Sequence, residues 1–241
     1  MNREQLTIGK AARYLQVSLD TLRRWDASGK LLAQRSTGGH RYYSLSDLQR
    51  FRIDLSVLGE AWAMSEQVPD IPSEYYCERT DRFSTRLDRF KESLLVSENF
   101  SLNLASLLVA VVGEIGDNSF VHNTGNWPDV PGVFFAYDIS KHIVVLADRG
   151  RGILKTLRRV RPTLNNDRDA LLVAFTEFVS GRAPENRGNG LKLVREVVET
   201  NPFELHFQSG LALAHIPARD GHIKISGTLQ NIRGMYAQIK F

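Results

Sequence analysis

The six-residue apolar run Leu107–Val112 continues without a break into Glu114, Asn118 and His122. Spaced i, i+4 and i+8, these three polar residues share one helix face. A helix is expected from about Leu102 to His122, apolar in its first half and polar along one stripe in its second. Such a helix must lie on a second layer that covers the apolar part. Its polar face is read either as a solvated surface or as the wall of a site.

The second layer is legible downstream. "VFFAYDI" and "HIVVLAD" read as strands, and so do "FELHFQ", "LALAHI", "HIKISG" and "GMYAQIKF". "DALLVAFTEFVS" and "LKLVREVVET" carry helical spacing, and a short helix follows "RGRG". Residues 93–241 are therefore expected to form helices on a mixed, mostly antiparallel sheet. Residues 53–92 are read as a connector, partly helical. Two prolines interrupt it near 66–80, and a helix is expected from Arg82 to Leu95. It shows no sustained heptad, so no dimerising coiled coil is expected there.

The charge is unevenly placed. Residues 1–51 hold nine Lys/Arg against four acids, while the whole chain carries only +4, so the remainder is slightly negative. A basic segment joined to a neutral one points to a nucleic-acid-binding module with a partner domain. The lone Cys77 excludes an intrachain disulfide and a cysteine-based metal centre. Apolar runs such as Leu107–Val112 are read as too short for a membrane span, and "MNREQLTIGK" has no signal-peptide core, so a cytoplasmic location without membrane contact is expected.

Within residues 1–52, "IGKAARYL" and "SLDTLRRWDASGK" read as two helices broken by "QVS", with Ser18 as N-cap and Gly29-Lys30 as stop. "LLAQRSTGGHRYYS" reads as a hairpin around Gly38-Gly39, and "SLSDLQRF" opens a further helix at Ser44 or Ser46. The stretch resembles the MerR-type winged helix-turn-helix, including excisionase-like variants. The resemblance implies double-stranded DNA as partner, a recognition helix near Leu19–Ser28, and a wing at Gly38–Tyr43. Ser18, Thr21, Arg23 and Arg24 would face bases or phosphates, and His40, Arg41 and Tyr42 the flank. Either Tyr42 or Tyr43 is expected to pack beneath the wing. Two half-sites would suit a homodimer.

Three further stretches carry chemistry. On the helix face, Asn118 offers a neutral carbonyl oxygen suited to Mg2+ already held by phosphates, and Glu114 a base for an attacking hydroxyl. In "LADRGRGI", Asp148 ends a strand, and Gly150 and Gly152 let backbone approach a ligand; an ordinary turn would look the same. In "ENRGNGLKLV", Gly188 and Gly190 precede a helix whose free N–H groups could meet phosphates, with Arg187 adding charge; a plain cap is the alternative. In this order the three resemble the N, G1 and G2 boxes of the GHKL ATP-binding family, over residues 93–241. The resemblance implies a Bergerat-type α/β sandwich binding ATP and Mg2+. Asn118 would hold the metal and Asp148 would read adenine. Gly150, Gly152 and Ile153 would shape the pocket, beside His122 on the helix. Arg187, Gly188, Gly190 and Leu191 would end the nucleotide lid, and Glu114 would act as general base in a hydrolysing member.

The fold expected is thus two domains, a small α-helical winged helix-turn-helix and an α/β sandwich. The function expected is an ATP-responsive DNA-binding transcription regulator, with weak ATPase activity a further expectation. A serine protein kinase of the anti-sigma type acting on a regulatory protein partner is the alternative, and a non-hydrolysing nucleotide-binding module a third. Residues 52–100 contain no histidine, which argues against a self-contained sensor histidine kinase.

Overall fold

The computed structural model describes residues 5–15, 17–29, 31–52, 54–97, 100–177, 190–219 and 222–241. Contacts divide the chain into two compact units, Met1–Asp54 and Leu55–Phe241.

In the first unit β1 (Gln5–Thr7) leads into α1 (Ile8–Leu15) and α2 (Leu19–Ala27). The hairpin β2 (Gln34–Arg35) and β3 (Arg41–Ser44) follows, then α3 (Leu45–Arg52). β3 is central, with β1 and β2 antiparallel on either side. The strand β1 was not expected: three residues are too few to show a period of two. Ser18 Oγ accepts from Thr21 N at 3.1 Å and starts α2. Ser44, not Ser46, caps α3, its Oγ accepting from Asp47 N at 3.1 Å. Ala11, Ala12, Leu22, Leu31, Tyr43 and Leu48 form the core, with Trp25 packed on Phe51 at 4.9 Å. Tyr43 is thus the tyrosine under the wing, and burial pushes its pKa up.

The second unit is built on a five-stranded sheet: β4 (Tyr76–Cys77), β5 (Val133–Asp138), β6 (Ile143–Asp148), β7 (Glu204–Ile216) and β8 (Lys224–Lys240). The order is β4-β5-β6-β8-β7. A mixed sheet was expected; among the described residues every strand pair is antiparallel. The four C-terminal runs expected as separate strands form two long bent ribbons, because pairing continues across irregularities at Gln208–Ala212.

Both faces of the sheet are covered. The stretch 53–92 contributes α4 (Leu55–Met64), the edge strand β4 and most of α5 (Thr80–Val96). α4 lies against β5, β6 and β8. Its sequence, "LSVLGEAWAM", is apolar nearly all round, as befits a helix buried on several sides. On the other face lie α5, α6 (Leu102–Asn123), α8 (Asp167–Thr176) and α9 (Gly190–Thr200), with α7 (Gly152–Leu157) just after β6. The alternation of β5 serves the two layers, with Val133 and Phe135 in the main core and Phe134 turned to α4. α5 and α6 approach closely at Gly116, where a Cβ would overlap the Phe83 ring.

α6 is capped by Ser101, whose Oγ accepts from Leu104 N at 3.2 Å. It runs on through small polar residues for 22 residues, and its most apolar 18-residue window has a mean hydropathy of 1.5, enough by length and composition alone to cross a membrane. Half of the apolar window is buried within the protein, and α6 packs between α5 and α9 and against the sheet.

Candidate functional site

The second half of α6 borders a cleft of about 770 Å³, its open mouth included. Asn118 and His122 line it from α6, Asp148 from the end of β6, Gly152 and Ile153 from α7, and Gly190 and Leu191 from α9. These residues come from three stretches separated by more than twenty positions of chain, and the fold brings them to one cavity.

Asp148 is 3% exposed. Its Oδ1 accepts from Gly150 N at 2.7 Å, and the Ser119 hydroxyl and Met235 N–H also serve the carboxylate. Burial outweighs these bonds and pushes its pKa up to about 6. Gly234, at φ +57°, runs so close that a Cβ there would overlap the Asp148 carboxylate. The result is a buried acceptor in a cavity wall, half-ionised only near pH 6 and suited to a ligand N–H or O–H.

α9 begins against the polar face of α6. A Cβ on Gly190 would stand 2.6 Å from Glu114 Oε2 and 3.0 Å from Asn118 Nδ2, so a residue without a side chain lets the two helices meet there. Glu114 is half-buried and does not line the cleft; its carboxylate sits beside the first turn of α9. Arg187 and Gly188 lie outside the described residues.

Three residues that sequence reasoning passed over fix the turn after β6. Asn123 is buried; its amide donates to Ser119 O at 2.8 Å, and its Oδ1 accepts from Arg151 N at 2.9 Å. Gly150 packs against that amide so closely that a Cβ would overlap it. Ser209 Oγ accepts from Ile153 N at 2.9 Å and donates to Gly234 O at 2.8 Å. Ser119 and Asn123 repeat the spacing of four seen at Glu114, Asn118 and His122, displaced by one residue, and that was the available signal. Nothing local marks Ser209.

The residue after Asp148 serves the opposite face. The Arg149 side chain is wholly buried. It donates to Asp129 Oδ2 at 2.6 and 2.8 Å, to Trp62 O at 2.5 Å and to Glu66 O at 3.2 Å. Arg149 thereby ties the end of α4 and the loop before β5 to the strand that carries Asp148.

In the first unit, Arg23 and Arg24 are exposed on α2. Ser18 and Thr21 share a hydroxyl pair at 2.9 Å at the start of that helix, and Arg24 reaches Thr21 Oγ1 at 3.5 Å. Arg23 pairs with Asp20 at 2.8 Å in full solvent, an exchangeable contact. His40 is exposed on the hairpin turn and Tyr42 is half-buried on β3. Arg41 turns back to α2 and donates to Asp26 Oδ2 at 2.6 Å. Asp26 also accepts from Ala33 N at 2.9 Å and from Arg35 at 2.8 Å. The Ala33 N–H and then the Arg41 guanidinium hold its carboxyl below the usual range. Asp26, unnoticed in the sequence, is the clamp between the second helix and the wing.

Residues 6–53 match the family model described as MerR HTH family regulatory protein. A stretch of 52 residues is 40% identical to a type II methyltransferase of Escherichia coli; it covers 21% of this chain and 12% of that protein. The family match covers α1, α2, α3, the β2–β3 wing and most of β1. Residues 6–53 are therefore a MerR-family helix-turn-helix domain, and they are followed by a unit of helices layered on an antiparallel sheet.

Proposed function

We propose that this chain is a DNA-binding transcription regulator whose second unit binds a purine nucleotide, ATP with Mg2+, as a Bergerat-type module of the GHKL class. α2 is the recognition helix, with Arg23 and Arg24 on the exposed face and the wing at its flank. The observation that carries the nucleotide half of the reading is the convergence of Asn118, Asp148, Gly152 and Gly190 on one cleft.

The residues present fit such a ligand. Asp148 accepts a hydrogen bond from an exocyclic amino group, which repays part of the burial of its charge. Gly152, at φ +75°, and Gly190 line the cleft without a side chain, Gly152 close to Ser209 and Gly190 close to Glu114 and Asn118. Asn118 and Glu114 stand together where α6 meets α9, the one as an oxygen ligand for a divalent ion, the other as a proton acceptor. The bound nucleotide supplies a polyphosphate anion with its cation. Ligand binding that favours one state of the cleft shifts the population of DNA-binding forms, provided the two states differ in affinity.

Calorimetric titration with ATP and Mg2+ tests the cleft. The native chain is expected to bind, and Asp148→Ala to lose binding while its melting transition is retained. No binding to the native chain overturns the nucleotide reading and leaves the DNA reading standing. The latter is tested by selection from random double-stranded DNA followed by gel shift. Arg23→Ala is expected to lower affinity and to reduce the salt slope by about one if Arg23 meets a phosphate. Unchanged affinity in a double Arg23→Ala, Arg24→Ala variant overturns it.

A further inference from the structure

The face of β7 turned away from the cleft carries a second cluster. Leu205 and Phe207 point into the main core, so Glu204 and His206 point outward. His215 is eleven residues beyond Glu204, a distance that an extended strand would stretch to roughly 36 Å. Its Nε2 nevertheless stands 3.0 Å from Glu204 Oε1. The ribbon therefore turns back on itself, and Gly210, at φ +58°, lies at the bend.

Three potential ligands meet there. His206 Nε2 is 3.7 Å from the same Glu204 oxygen, and the two imidazoles stack with centroids 4.3 Å apart and 19° between planes. The donor atoms of all three residues lie within 4.8 Å of one another. Lys240 Nζ holds the other oxygen, Oε2, at 3.0 Å, which leaves Oε1 to the imidazoles. A hydrogen bond accounts for His215 on Glu204. It does not account for a second imidazole stacked on the first with its nitrogen turned to the same oxygen.

We propose that Glu204, His206 and His215 bind a divalent transition-metal ion of the zinc class, with the remaining position open to water. Imidazole nitrogens and a carboxylate oxygen sit about 2.0–2.2 Å from Zn2+, which separates tetrahedral donors by roughly 3.3 Å. The distances of 3.0 and 3.7 Å bracket that separation. Two imidazoles with one carboxylate suit zinc, nickel, cobalt or copper rather than Mg2+ or Ca2+, which take mainly oxygen. The side chains are 24–32% exposed, so an ion reaches them from solvent and small rotations bring the nitrogens onto it. The ion would staple the two halves of β7 across their bend.

The full chain, stripped by a chelator and free of nucleotide, is titrated with Zn2+ by calorimetry and with Co2+ by visible absorption. One saturable equivalent is expected, with a Co2+ absorption band and a melting temperature raised by Zn2+. Glu204→Gln and His215→Ala should each weaken binding by at least about 100-fold, beyond the 10–100-fold typical of losing a supporting partner. His206→Gln, a milder change on the same face, guards against a variant that fails to fold. Absence of Zn2+ binding in the native chain, or equal binding by folded variants, overturns the site.

Discussion

Asp148→Asn separates the cost of a buried charge from the loss of its hydrogen bonds. The native carboxyl is 3% exposed, and its pKa is about 6 against an ordinary 3.8. A shift of roughly two units corresponds to about 3 kcal/mol between the charge states. The sign follows from a folded-state pKa above the unfolded one: ionised Asp148 disfavours the folded state fully above pH 6. That penalty fades as pH falls toward the unfolded value. Asparagine keeps the shape and carries no charge. Its single oxygen can still accept from Gly150 N, 2.7 Å from the native Oδ1. Its NH2 faces either the Ser119 hydroxyl or the Met235 N–H that now bind the carboxylate, and a mismatch costs about 1–3 kcal/mol. That loss is the same at every pH, whereas the charge contribution is not. The stability of Asp148→Asn relative to the native chain should therefore rise by about 2 kcal/mol between pH 4.5 and pH 7.5. Urea denaturation of both proteins at several pH values, followed through the second unit's transition, measures it. A stability difference that does not change across this range refutes the assignment of a buried, strained carboxylate. A site that stores such a penalty is one that a ligand donor can relieve.

Asp26→Ala leaves the Ala33 N–H and two guanidiniums without their carboxylate; Arg35 and Arg41 remain partly solvated, so a loss of about 2 kcal/mol in the first unit is expected by thermal melting. Because the native carboxyl is held below its usual pKa, its contribution is present above the ordinary carboxylate range and lost as pH falls below it; equal acid sensitivity of native and variant would refute the clamp. Arg149→Met leaves the Asp129 carboxylate and the Trp62 carbonyl without their main donor, and should cost about 3–5 kcal/mol in chemical denaturation; a change under about 1 kcal/mol would show that the cluster is dispensable. Gly116→Ala drives a methyl into the Phe83 ring and should cost about 1–3 kcal/mol, whereas a gain in stability, as for alanine in an uncrowded helix, would refute the close approach of α5 and α6.

Local chemistry carried much of this protein in its sequence. Helices were legible from a cap, as at Ser18, or from apolar spacing, as over the expected Leu102–His122, since both are set within a turn or two of chain. The strands of residues 133–148 were legible from their apolar runs, and the basic helix-turn-helix from its residues in order. Asp148 and Asn118 could be singled out because a carboxylate at a strand end and an amide on an apolar helix have little local purpose.

What the sequence could not state is which groups meet. β1 and β4 exist only because a neighbour offers an edge to pair with, so runs of three and two residues carry no pattern of their own. α4 lies in the stretch read as a connector, and it has a place only once the outer face of the sheet is there to receive it. Ser209 enters the site because β7 brings it beside α7, 56 residues away in the chain. Asp26 and Arg41, fifteen apart, form a clamp only once the wing folds back. Glu204 and His215 come together only because β7 bends. Backbone propensity and apolar periodicity act over a few residues and are written in order along the chain. Burial, charge pairing and the pKa of Asp148 depend on which surfaces exclude water together, and the tertiary structure alone decides that.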